Sequence, residues 1–298
     1  MNTTPWIAFS LFSGFLMAVV NMIDRYVLTR LVGRAVVPLF VLGVMGFLPG
    51  WAILMVKGGL GLAGLHMLLA VGSGLAFLTM GYFYFRAAQV EEISRVVPLF
   101  YLSPALVAIL AHIFLGERFV VRKYFGIILI LAGAVLLASR WPMKLRLGPA
   151  FGLMILAASA MAVYTVATKY LLNYADYWTV FALSRLGMFF GTIPIYLGHR
   201  RAIRAELAGR RGLKVAAFMA GNEGLALAGS FFFTWAASRG PISVVTALSS
   251  TQPFFVFILS LALVILTPRF IKENVGLPTL ALKIAAIAVM FAGLVFVV

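Results

Sequence analysis

At 298 residues, 63 % hydrophobic and 11 % charged, with a mean hydropathy of +1.08, the chain is far more apolar than the roughly 45–50 % of a soluble domain, which excludes an ordinary water-soluble enzyme or binding module. The net charge of +16 is scattered over short connections between apolar runs, so no basic domain face exists to bind nucleic acid. Cysteine is absent, which excludes a disulfide framework, a thiolate metal site and a Cys nucleophile.

The apolar runs have the length of membrane-spanning helices rather than of barrel strands. The pattern predicts ten spans, at residues 6–23, 35–56, 62–85, 96–116, 121–139, 148–168, 178–197, 214–237, 241–266 and 280–298. No basic residue precedes the first run, and no polar stretch separates it from the second, so a span is expected there and not a cleavable signal. The longest connection, 199–213, is basic and reads as a loop.

The second half echoes the first. Arg25-Tyr26-Val27-Leu28 corresponds to Lys169-Tyr170-Leu171-Leu172, and Gly46-x-x-Pro49 to Gly191-x-x-Pro194. Ala87-Ala88 and Pro104 find counterparts in Ala236-Ala237 and Pro253. Lys123-x-x-x-Ile127 with Ala132-Gly133-x-Val135 recurs as Lys283-x-x-x-Ile287 with Ala292-Gly293-x-Val295. The expected architecture is therefore all-α and integral to the membrane: ten transmembrane helices as two five-helix repeats, residues 1–147 and 148–298, around a central cavity. Five is odd, so the repeats are inverted relative to one another, the plan of many secondary transporters. One chain holds both halves, so a monomer suffices.

Lys and Arg number 16 in connections 1–2, 3–4, 5–6, 7–8 and 9–10, against 6 in the other four. The positive-inside rule then places both termini outside the cytoplasm.

Spans 3 to 5 contain Arg86-Ala87-Ala88, Pro98, Pro104, Leu115-Gly116-Glu117-Arg118, Gly126 and Ala132-Gly133. This text resembles the EamA-type family of the drug/metabolite transporter superfamily. The second half lacks the Leu-Gly-Glu-Arg ending, with Leu266-Thr267-Pro268-Arg269 in its place. The resemblance implies ten helices around a central cavity, alternating-access movement of small metabolites or drugs, usually export, and cytoplasmic termini, against the charge count. In the related small multidrug resistance proteins a glutamate in the first span binds protons and drug cations; here span 1 holds only Asn21, with Asp24 at its edge.

Chemistry is expected from charges inside apolar runs, because a buried ion needs a partner or a use. Glu223 lies mid-way along span 8 and Arg185 inside span 7. Their depths differ by roughly one helical turn, about 6 Å, which predicts an Arg185–Glu223 ion pair facing the bundle interior. Asn222 precedes Glu223, and Ser230 and Thr234 share its helical face, a polar stripe suited to lining water. The corresponding positions of span 3 read Ser73-Gly74, so one half carries more polar load.

Tyr164, Thr165 and Thr168 lie within one turn of span 6, with Lys169 at its edge; they line the cavity or glue helices. Gln252 precedes Pro253 and Ser103 precedes Pro104, where proline frees a carbonyl one turn earlier. Trp235, Tyr82 and Tyr84 stack on a flat or cationic ligand or anchor at the interface. His112 is a proton-relay candidate beside Glu223, or a satisfied buried imidazole.

The reading is a transporter of a small organic metabolite in the cell (inner or plasma) membrane, with membrane lipid as surroundings and no cofactor or metal. Substrate binding is expected from Glu223, Arg185, Asn222, Ser230, Thr234, Tyr164, Thr168, Gln252, Tyr84 and Trp235. A paired Arg185 and Glu223 suit an amino acid or similar zwitterion; an unpaired Glu223 suits proton-coupled export of a lipophilic cation. An intramembrane lipid head-group enzyme, suggested by His112-x-x-x-x-Glu117, lacks any supporting acid, metal cluster or nucleophile motif.

Overall fold

The computed structural model describes residues 4–27, 32, 34, 36–90, 102–117, 120–138, 149–252, 254–256, 258–259 and 277–297. The chain runs through helices α1 (Thr4–Tyr26), α2 (Val36–Lys57), α3 (Gly64–Val90), α4 (Ser103–Leu115), α5 (Val121–Ala138), α6 (Pro149–Leu171), α7 (Tyr177–Leu207), α8 (Gly209–Arg239), α9 (Ile242–Ser249) and α10 (Leu277–Val297). Among the described residues no strand occurs. Six helices, α1, α2, α3, α6, α7 and α8, are long and apolar enough to cross a membrane, and shorter apolar stretches lie in α4, α9 and α10. Pro98, Arg118, Pro253 and Leu266-Thr267-Pro268-Arg269 fall outside the described residues.

The basic connection expected at 199–213 is largely helical. The chain leaves helical geometry at His199 (φ −126°, ψ 18°) and resumes it to Leu207, and α8 starts at Gly209. The stretch Ala202 to Leu207 is made of good helix formers. Ile203 is buried there with Val27, Val37 and Met219, while Arg200, Arg201 and Arg204 stay exposed, so an amphipathic turn seats one face on the bundle end.

Helix ends follow local chemistry. Asp176 caps α7, its carboxylate accepting from the backbone N–H groups of Trp178 (3.0 Å) and Thr179 (3.3 Å). Gly116 ends α4 at φ +66°, a left-handed position glycine reaches without Cβ strain.

Packing pairs α5 with α10, α2 with α7, α3 with α6 and α7, and α1 with α8; α4 lies against α6 and α9, and α9 also against α1. The α5–α10 contact is reciprocal. A side-chain carbon at Gly133 would stand 2.8 Å from the Ala286 carbonyl oxygen, and one at Gly293 would stand 2.7 Å from that of Gly126. Both backbones approach so closely that only glycine fits, the small-residue contact by which helices associate without a hydrophobic drive from lipid.

Candidate functional site

The polar residues of the bundle interior converge from five helices. α1 runs antiparallel to α8: Ser13 donates to the Gly229 carbonyl at 2.8 Å, and further along Asn222 donates from Nδ2 to Asp24 Oδ1 at 2.7 Å. Asp24, the last acid of α1, therefore sits at the level of mid-α8 beside the Asn222-Glu223 step. Glu223 is 8 % exposed and close enough to feel both the Asp24 carboxylate and the Arg185 guanidinium. Tyr84 of α3 approaches Asp24 in the same way, and Tyr164 of α6 approaches Arg185.

The Arg185–Glu223 ion pair expected from depth alone is not formed; the ion pair among the described residues is Lys57–Asp176. Arg185 is 2 % exposed and turns to aromatic partners. Its guanidinium carbon lies 4.8 Å from the Phe181 ring centre and 5.6 Å from that of Phe77, and Nη1 meets Met188 Sδ at 3.2 Å. Cation–π contact replaces the salt bridge, while Nε and Nη2 are left without hydrogen-bond partners. Depth fixes how far along two helices residues lie but says nothing of their rotation, and Arg185 is rotated toward α3 and its own helix.

Other expected residues divide by environment. Thr168 and Thr234 are buried with hydroxyls that no protein group satisfies, as are Thr165, Ser103, Ser184 and Thr246. They are spread over α4, α6, α7, α8 and α9, and each buried hydroxyl calls for a water or ligand partner. Ser230 is buried on the same helix as Thr234. Tyr164 packs edge-on against Phe77, 4.9 Å between centres. Gln252 donates from Nε2 to the Met17 carbonyl at 3.1 Å, tying the segment after α9 to α1.

Two residues lie elsewhere. Trp235 sits near the end of α8, covered by Arg239 at 3.8 Å and edged by Phe9 at 4.4 Å, so its ring is already engaged by protein groups. His112 is exposed, and its Nδ1 lies 3.0 Å from the Glu117 carbonyl. It belongs to the turn that ends α4, not to the Asp24–Glu223 group.

Two features escaped the sequence. Asp24 reads as a span-edge residue because α1 is shorter than α8. Glu117 reads only as part of a motif, yet its carboxylate accepts from the Ile242 N–H (2.8 Å), the Ser243 N–H (3.3 Å) and the Ser243 hydroxyl (2.8 Å), capping α9 across the bundle. Beside it Lys169 Nζ donates to the carbonyls of Ala237 (2.7 Å) and Gly240 (2.9 Å), closing the end of α8.

Comparison with known proteins agrees with this picture. The EamA-like transporter family model matches residues 4–139, so the first half carries that family's signature and the resemblance read from the Leu115-Gly116-Glu117-Arg118 region stands. A Sinorhizobium sp. protein described as an uncharacterized transporter in the cobO 3′ region is 44 % identical over 66 residues, which cover 22 % of this chain; the chain spans about half of that relative, 47 % of its length. A solved crystal structure is similar over 98 % of this chain and 96 % of its own, with a TM-score of 0.67 at 20 % identity, which speaks for the fold alone. With six helices able to cross a membrane, the chain is a multi-pass membrane protein.

Proposed function

We propose that this EamA-like chain is a secondary transporter that moves a small organic metabolite, an amino acid or similar zwitterion, by alternating access, in the direction of export. The observation that carries the reading is the chemistry of the interior group: Arg185 holds two buried donors without hydrogen-bond partners, the Glu223 carboxylate lies within its electrostatic reach, and Asp24, bonded to Asn222, is within reach of Glu223 in turn. A substrate carboxylate would take the free Nε and Nη2 in a charge-assisted pair, and its ammonium would meet the acids. The unsatisfied hydroxyls buried on α4, α6, α8 and α9 add polar groups that a moving polar substrate can use.

The same reading takes residues 1–147 and 148–298 as inverted five-helix repeats, ten spans in all. Replacing each helix by its counterpart five places away turns α3–α6 into α8–α1, α3–α7 into α8–α2 and α4–α6 into α9–α1, all of them contacts in this fold. α2–α7, α4–α9 and α5–α10 map onto themselves, and the reciprocal Gly133 and Gly293 contacts are what a pseudo-two-fold axis between α5 and α10 requires.

The test is a thermal-shift panel on detergent-purified protein with amino acids, nucleotide sugars, sugar phosphates and lipophilic cations, since a ligand stabilises the state it binds by RT ln(1 + [L]/Kd). The expected outcome is stabilisation by an amino acid that Arg185→Gln abolishes. Stabilisation by lipophilic cations alone, kept in Arg185→Gln and lost in Glu223→Gln, would replace this reading with proton-coupled cation export. The proximity of Asp24 to an acid that has no salt bridge favours that second reading.

A further inference from the structure

One cavity of the fold is not absorbed by the transport reading. It lies where the start of α2, the end of α3 and the His199 bend of α7 meet, and is lined by Arg34, Val36, Leu39, Tyr82, Phe85, Arg86 and His199. Two arginines and a histidine line it, and no acid is among its described lining. Neither arginine has a carboxylate partner among the described residues; Arg86 lies 6.0 Å over the Tyr82 ring, and Arg34 stands just ahead of the first turn of α2. His199 is held by its Nδ1, 3.2 Å from the Ile195 carbonyl. The floor is apolar and buried, Leu39 and Phe85 packing together with Leu78.

The place of this cleft in the membrane is informative. Arg34 just before α2, Arg86 in the last turns of α3 and His199 at the bend of α7 lie at the arginine-rich end of the bundle, that of the expected connections 1–2, 3–4 and 7–8. A basic rim over an apolar floor between transmembrane helices, at the end that the positive-inside rule turns toward the anionic cytoplasmic leaflet, is the arrangement that takes a phosphate with hydrocarbon beneath it.

We propose that this cleft is a binding site for a phosphoryl group, with Arg34 and Arg86 as its charged clamp, separate from the Asp24–Glu223 group. The ligand chemistry is a phosphate anion, supplied either by an anionic phospholipid head group or by a free phosphate. A lipid would also cover the Leu39 and Phe85 floor with its acyl chains, which free phosphate cannot do.

The test measures thermal unfolding of the full-length protein in mild detergent with added phosphatidylglycerol, phosphatidylcholine or inorganic phosphate. It compares the wild type, Arg34→Gln/Arg86→Gln, the conservative Arg86→Lys and a control, Arg200→Gln/Arg201→Gln, which removes two exposed arginines from the same end of the bundle. The expected result is a rise in Tm with phosphatidylglycerol over phosphatidylcholine that is kept in the control and in Arg86→Lys. The double cleft variant should show at least a tenfold weaker apparent affinity. A similar but phosphatidylglycerol-independent rise with millimolar inorganic phosphate assigns the site to free phosphate; a rise only with the lipid assigns it to the membrane. Equal stabilisation of wild type and double variant, or none by any phosphate, overturns the proposal. Should the double variant fail to fold, Arg34→Gln alone decides by the same comparison.

Discussion

At the end of the bundle where α2 leads to α3 and α6 leads to α7, charges are few and join neighbouring elements. Lys57 of α2 pairs with Asp176 at the cap of α7 and reaches Thr179 at 3.2 Å. Glu117 of α4 holds the first N–H groups of α9, and Lys169 of α6 holds the last carbonyls of α8. At the opposite end Arg34, Arg86, Arg200 and Arg201 are exposed, and their side chains form no ion pair among the described residues. Helix termini are where unsatisfied backbone groups concentrate, so at the first end Glu117, Lys169 and the Lys57–Asp176 pair close the structure. At the second, Arg34, Arg86, Arg200 and Arg201 stay available to ligands and to the membrane surface.

Substitutions at the two ends should therefore behave differently. Glu117→Ala has the largest expected effect, because one carboxylate serves three donors and its loss uncaps α9; the cost is about 2–4 kcal/mol, read as a lowered Tm in detergent. Lys169→Met removes the donor from two carbonyls at the end of α8 and should cost about 1–2 kcal/mol. Lys57→Gln breaks a partly exposed pair and should cost no more than about 1 kcal/mol. Arg86→Gln, at the other end, should fall within about 0.5 kcal/mol in the absence of phosphate. An Arg86→Gln loss as large as that of Glu117→Ala would erase the distinction between the ends.

A pH dependence sharpens the same contrast. Partial burial pulls the Asp176 carboxyl upward, but the Lys57 and Thr179 hydrogen bonds outweigh it and leave the group below its ordinary value of 3.8. A carboxyl depressed in the folded state stabilises above its unfolded pKa and loses that contribution as pH falls through the folded one. The Tm difference between wild type and Asp176→Asn should be fully present near neutrality and vanish as pH drops below that value.

Much of the fold is legible in the sequence because period and repeat are carried by composition. The apolar runs fall on α1, α2, α5, α6 and α10 with ends within a few residues, and Gly133 and Gly293 pack against corresponding stretches of each other's helix, Ala286 to Met290 and Gly126 to Ile130. The limits have physical causes. Asp24 reads as a boundary residue because it lies near the end of its own helix, whereas its bond to Asn222 sets it beside the middle of the longer α8. Arg185 and Glu223 were matched in depth but not in rotation, and the aromatic faces of Phe77 and Phe181 took the guanidinium instead. Glu117 finds its donors at Ile242 and Ser243, far along the chain, and no local pattern announces such a contact.

The most direct test of the central claim is counterflow in proteoliposomes: vesicles preloaded with a zwitterionic amino acid that stabilises the purified protein, diluted into the same compound in labelled form. The wild type should accumulate label transiently, and Arg185→Gln and Glu223→Gln should lose accumulation in vesicles holding equal amounts of folded protein. Accumulation undiminished in both variants, or no accumulation by the wild type of any zwitterion that binds, would contradict that claim.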